Sequence, residues 1–293
     1  MLARALPLLI LALAALAPRV QAQPVTRITW VTADTNNPGR AAADANGMTG
    51  RLVDFLRPRW PQVEHEILIA NAKRGWQMIE AGQQVCRANT VRTPEREKLA
   101  YFTNMQLTPP VQLIVRRDRV ALLPRNAAGE VVLPRLLADT RLRGALVDGR
   151  SYGTAVDEQL SDLARHKQVT LYSPKDFGGR LLQMLALDRA DYAIDFDMAL
   201  VMVDSTQALH ALQSLPIQGA SEPVMGAVAC PRTPWGLAAI RGIDRALGSP
   251  AGATMLRESL QRWLTPEARA HYGARMDAFY RERARPTAAL QQR

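Results

Sequence analysis

The stretch Val85-Cys86-Arg87-Ala88-Asn89-Thr90-Val91-Arg92-Thr93-Pro94-Glu95-Arg96-Glu97-Lys98-Leu99-Ala100-Tyr101-Phe102-Thr103-Asn104 decides how the chain is read. It runs as a strand end, a polar turn, a Thr-Pro-Glu-Arg step, and an aromatic pair leading to Pro109-Pro110. Two readings of Arg96 compete. In one, Thr93 caps a helix, Pro94 takes its first position, and Glu95, Arg96, Glu97 and Lys98 form a solvated first turn. In the other, the guanidinium of Arg96 grips an anion, because its planar fork of donors matches a carboxylate bidentately. The flanking pattern favours the second.

Working outward, the chain alternates strands and helices. Residues 27–32 are β-rich and break at the turn cluster 34–39. Leu52, Val53, Phe55 and Leu56 repeat at helical spacing and stop at Pro58 and Pro61. Residues 65–70 form the next strand. Asn71 can cap the helix that follows, with Trp76, Ile79 and Met78 as its apolar residues and Gly82 closing it. Such βαβαβ order implies a parallel sheet with crossover helices.

The alternation then restarts. Residues 111–115 form a strand leaving into Arg116-Arg117-Asp118, the expected first crossing to a second lobe. Strands are expected at 145–147, 169–172 and 192–195, with helices over 154–167 and from Asp176 onward. Residues 224–230 return as the second crossing. Helices over 237–247, 251–263 and 266–280 follow, then a polar tail expected to fray.

The order resembles bacterial extracellular solute-binding proteins of family 3, the polar amino-acid type. The resemblance rests on the Thr-Pro-Glu-Arg turn ending in Arg96, on Gly47 to Leu56 and on Trp76 to Gly82. It extends to Gly149-Arg150-Ser151-Tyr152-Gly153 and to Leu187-Asp188-Arg189-Ala190-Asp191-Tyr192. It implies an α/β, two-lobed type II periplasmic-binding-protein fold, each lobe a mostly parallel sheet flanked by helices, joined by two hinge crossings. The implied division is lobe one over 23–115 and 224–280, lobe two over 116–223, and a tail over 281–293. The ligand would lie at the carboxyl ends of the strands. Arg96 would hold its carboxylate, with Asn89, Thr90 and Val91 beside it. Ser151 and Tyr152 would take its anionic end at a helix start. Asp195 or Asp197 would meet a ligand amine. Asn89, Thr90 and the apolar Val91 stand where the family places hydroxyl residues, and Gln83-Gln84 where an acid is common, so the ligand's identity does not transfer.

Residues 1–22 carry one basic residue, Arg4, before an apolar run, and Val20-Gln21-Ala22 ends in small residues. This is the pattern of a secretory signal peptide, so the mature chain is expected in the periplasm. The formal net charge is +10, and loss of Arg4 and Arg19 leaves about +8. The arginines are scattered and no basic stripe interleaves with aromatics, which argues against nucleic acid as a partner. Cys86 and Cys230, in an oxidising compartment, are expected to pair as a disulfide; the alternative is two buried thiols. The resemblance implies a monomer serving an inner-membrane transporter or sensor, with no cofactor. The isolated His65, His166, His210 and His271 lack metal-ligand spacing.

Two catalytic readings stand beside this one. Gly149-Arg150-Ser151-Tyr152-Gly153 matches a nucleophile elbow, which would need Asp191 or Asp195 and His210 or His271 behind Ser151. Cyclohexadienyl dehydratases also resemble solute-binding proteins, and such an enzyme would need Glu95, Asp195 or Asp197 as a general acid in the cleft.

Overall fold

The computed structural model describes residues 24–33, 47–174, 179–202 and 211–291. The expected signal peptide lies outside them, as do Asp176, Phe177 and His210. Two five-stranded sheets carry the chain. The first is built from β1 (Arg27–Thr32), β2 (Glu64–Ile69) and β3 (Val85–Val91), with α1 (Gly47–Leu56) and α2 (Ala72–Glu80) as the intervening helices. After the one-turn α3 (Pro94–Glu97), β4 (Ala100–Thr108) completes the outward run. The second sheet holds β5 (Val111–Arg116), β6 (Gly144–Val147), β7 (Val169–Tyr172), β8 (Tyr192–Phe196) and β9 (Leu212–Pro216). Its helices are α4 (Leu133–Ala138), α5 (Thr154–Gln159), α6 (Gly179–Ala186) and α7 (Met198–Met202). The chain then returns as β10 (Val224–Pro231) and ends in α8 (Pro234–Leu247), α9 (Pro250–Gln261), α10 (Pro266–Arg283) and α11 (Ala288–Gln291).

Strand order is β2-β1-β3-β10-β4 in one sheet and β7-β6-β8-β5-β9 in the other. The βαβ portions are parallel, as their crossover helices require. The strands after the crossings, β5 and β10, are antiparallel to both neighbours, so each sheet is mixed rather than mostly parallel. This corrects the first boundary. β5 pairs with β8 and β9, so the chain changes lobe at Pro109-Pro110, not at Arg116-Arg117. Tandem prolines donate no backbone hydrogen bond and suit a segment that belongs to neither sheet. The return lies between β9 and β10.

Local chemistry explains most of the elements. Asn71 Oδ1 accepts from Arg74 N at 2.8 Å, and Gly82, at φ +68°, ends the turn beyond α2. Thr93, Thr233, Ser249 and Thr265 each cap a helix that has proline in its first turn. The helix expected over 154–167 stops at Gln159 and gives way to a short 3-10 turn over Leu163–Arg165.

The tail does not fray over its described residues. Asp244, wholly buried, accepts from Thr287 N at 2.7 Å, Thr103 Oγ1 at 2.6 Å and Thr287 Oγ1 at 2.9 Å, and pairs with Arg283 at 3.2 Å. Leu290 packs on the core. A polar sequence concealed a buried ion pair that pins the C-terminus to β4. Cys86 and Cys230 form a disulfide linking β3 to β10, with Cα atoms 4.4 Å apart.

Candidate functional site

A cavity of about 60 Å³ lies between the two sheets at the carboxyl ends of β1, β3, β6 and β8. Its lining includes Asn89, Thr90, Val91, Arg96 and Ser151, together with Arg87, Gly149, Arg150 and Phe196. Thr93 Oγ1 accepts from Arg96 N at 3.3 Å, so Arg96 does lie in a capped helical turn, as the competing reading held. Its side chain nonetheless turns back to the cleft. Nη1 donates to Val91 O at 2.9 Å and to Thr90 Oγ1 at 3.3 Å. Nη2 donates across the cleft to Gly149 O at 3.0 Å. The guanidinium sits 4.5 Å from the ring centroid of Trp76, on α2. The cap and the cleft-facing side chain are one device: the α3 turn aims the guanidinium.

Arg87, in the middle of β3, is the residue that the sequence reading missed. It is buried at 8% exposure, its guanidinium lies 5.5 Å from the Trp76 centroid, and Nη1 donates to Ala72 O. Its Nε is buried with no hydrogen-bond partner. Gly75 makes room for it, since a Cβ there would stand 2.5 Å from Arg87 Nη1. Burial, then the charges of Arg96 and Arg150, push Arg87 down to about 9. Burial also lowers Arg96 to about 10, against the pull of Asp157 and with a further push from Arg150. Both remain cations at neutral pH. The available signal was a single charged residue, an arginine, inside a largely buried strand, a placement that requires a partner or a task.

The second-lobe residues expected at the ligand have partners of their own within that lobe. Ser151 lines the cavity, but its hydroxyl donates to Asp157 on α5, and Tyr152 N donates to the other oxygen of the same carboxylate at 2.7 Å. Asp157 therefore occupies the helix start expected to take the ligand's anionic end. Tyr152 turns away and accepts from Val147 N at 2.9 Å, a buried structural bond. Asp195 does not line the cavity. It is paired with Arg150 at 2.6 Å, both largely buried, and accepts from Phe196 N at 2.8 Å. Asp197 accepts from Ser214 Oγ at 2.7 Å. The residue that β8 presents to the cavity is Phe196, between the two acids, because side chains alternate across a strand.

Among the described residues neither catalytic constellation assembles. Ser151 is bonded to a carboxylate, and His271 is exposed on α10 with its ring edge-on to Tyr272. Glu95 is exposed, and no described residue lining the cavity carries a carboxyl group. Among the described residues no cluster of three His, Cys, Asp or Glu could hold a metal ion.

The lobes approach closely at one corner of the cavity. Lys73 Nζ, in the first turn of α2, pairs with Asp148 Oδ2 at 3.0 Å. Gly149, at φ +73°, lies so near that a Cβ would stand 2.8 Å from Lys73 Cα.

No protein-family model and no curated protein sequence matches the chain. Solved structures do. A chain from the study of glutathione import via GshT and the cystine importer TcyBC of Streptococcus mutans superposes with a TM-score of 0.61 at 12% identity, covering 82% of this chain and 95% of that one. A histidine kinase sensor domain similar to periplasmic binding proteins gives 0.60 at 14%, covering 83% and 97%. The substrate-binding protein AbpA of Streptococcus pneumoniae, bound to L-arginine, gives 0.55 at 14%, covering 82% and 97%. The chain has the two-lobed periplasmic-binding-protein fold. At these identities the likeness is one of fold. In this binding-protein fold the cavity at Arg96 occupies the interlobe cleft, where the sheets' carboxyl ends face each other.

Proposed function

We propose that the chain is an exported solute-binding protein that captures a small carboxylate-bearing ligand, amino-acid-like or another organic acid, in its interlobe cleft. The observation that carries this reading is the Arg96 guanidinium, aimed into the cavity from a capped turn and backed by Trp76. A half-buried cation there attracts an anion, and its fork fits a carboxylate. The leader-like residues 1–22 support export to the periplasm. The structural neighbours include transporter-linked binding proteins and a kinase sensor domain, which supports service to an inner-membrane transporter or a sensor by a protein that binds its ligand without transforming it. A dehydratase-like activity on the same fold would need a general acid in the cleft, and the described lining offers none.

A thermal-shift screen over carboxylates, followed by calorimetry on wild type and Arg96→Ala, tests the assignment. A carboxylate that binds wild type and loses most of its affinity in the variant supports it. Equal affinity for both proteins rejects Arg96 as the grip.

A further inference from the structure

The cavity is more cationic than capture of one carboxylate requires. Three guanidiniums line it, from Arg87, Arg96 and Arg150. Arg150 is paired with Asp195. Among the described residues neither Arg87 nor Arg96 has a carboxylate within ion-pair distance, and Arg87, more than nine-tenths buried, keeps an Nε donor without a partner. Both lie over the ring of Trp76, so their charges are held in one region. Two like charges under partial burial repel each other unless an anion comes between them. The carboxylates that could meet an ammonium are spent elsewhere: Asp195 on Arg150, Asp157 on the Ser151 turn, Asp197 on Ser214. Phe196 offers β8's end as an apolar wall.

We propose that this cavity takes a compact dianion with no ammonium group, such as a short dicarboxylate or a tetrahedral oxyanion, held by Arg87 together with Arg96. The inference rests on the reading of Arg96 as the anion grip and narrows its ligand class. The size agrees: about 10–15 Å³ of such space holds one water, so about 60 Å³ admits a compact oxyanion rather than an extended chain. Asn89 is neutral in this scheme; its Nδ2 donates to Thr49 Oγ1 at 3.2 Å and its buried Oδ1 has no partner, and a half-turn of the amide would exchange the two ends.

Calorimetry on the full-length mature protein, refolded to strip carried-over ligand and kept in a zwitterionic low-salt buffer, tests this with malonate, sulfate, phosphate, acetate and β-alanine. β-Alanine matches malonate in heavy-atom chain length but carries an aminomethyl ammonium where malonate has its second carboxylate. Malonate or an inorganic dianion should bind at least about 100-fold more tightly than acetate and β-alanine, because a second charge-assisted pair forms. In Arg87→Gln that preference should fall by about 30-fold or more, with acetate binding little changed. Should Arg87→Gln fail to fold, the wild-type ratio of malonate to β-alanine alone decides. β-Alanine or acetate binding as tightly as any dianion overturns the inference and leaves the carboxylate reading standing. Sulfate or phosphate binding without malonate upholds the dianion and removes the carboxylate. No binding by any of the five overturns both.

Discussion

Arg96 of lobe one donates from Nη2 to the carbonyl oxygen of Gly149 of lobe two, at 3.0 Å, across the cleft. The same guanidinium is fixed to its own lobe through Val91 O and Thr90 Oγ1. One side chain thus bonds to both lobes at the cavity. Under the proposed function, closure and recognition would be coupled at that single group.

Substitution of Arg96 should separate binding from stability. Arg96→Ala should cost roughly 2–5 kcal/mol of anion binding, and Arg96→Lys nearly as much because the fork is lost. The melting temperature should move little, since the residue is half-buried at the cleft rim. Calorimetry and a melting curve on the same samples check both statements.

Gly149→Ala should hold the cleft open. The position sits at φ +73°, and the added methyl would meet the Lys73 backbone. Small-angle scattering at saturating ligand should show a larger radius of gyration than wild type, and affinity should fall by about tenfold, or about 1.4 kcal/mol. An unchanged radius and affinity would show that the lobes do not need this approach.

The Cys86–Cys230 bridge closes a loop with a sequence separation of 144. Loop-closure entropy gives a stabilisation of up to about 5 kcal/mol for a loop of this length. The Cys86→Ala/Cys230→Ala double variant should therefore melt well below wild type, as should reduced protein. Coincident melting of the oxidised and reduced forms would refute this.

Asp244 neutralises Arg283 inside lobe one and anchors Thr287. Asp244→Ala should destabilise the fold by roughly 3–5 kcal/mol, because a buried guanidinium is left without its counter-charge. Denaturant unfolding measures the loss, and limited proteolysis should release the tail.

Stability should also depend on pH through His65. Its Nδ1 accepts from Trp30 Nε1 at 3.0 Å, and burial, with the charge of Arg57 adding to it, lowers its pKa from 6.5. As pH falls, the unfolded chain takes up a proton first. The contribution is full above about 6.5 and is lost as pH falls towards the lower folded value. The melting temperature should drop between about pH 7.5 and about pH 5. His65→Gln, whose side-chain oxygen can still accept from Trp30, should show a shallower drop.

The sequence by itself determined what is encoded within a few residues. Helix caps at Asn71 and Thr93, the stop at Gly82, the turn that carries Arg96 and the strands of both lobes other than β4 and β9 follow from local donors, φ preferences and side-chain period. Only the tertiary structure decided which charges find each other. Asp195 goes to Arg150, 45 residues away, and Asp157 closes the Ser151 turn, so neither acid faces the cleft. Arg87 reads locally as one charge in a buried strand, and becomes part of a site only when α2, α3 and lobe two converge on it. The crossing at Pro109-Pro110 and the docked tail were hidden for the same reason. Strand partners and buried ion pairs are chosen by what folding brings within a few ångströms, and sequence neighbours do not record that choice.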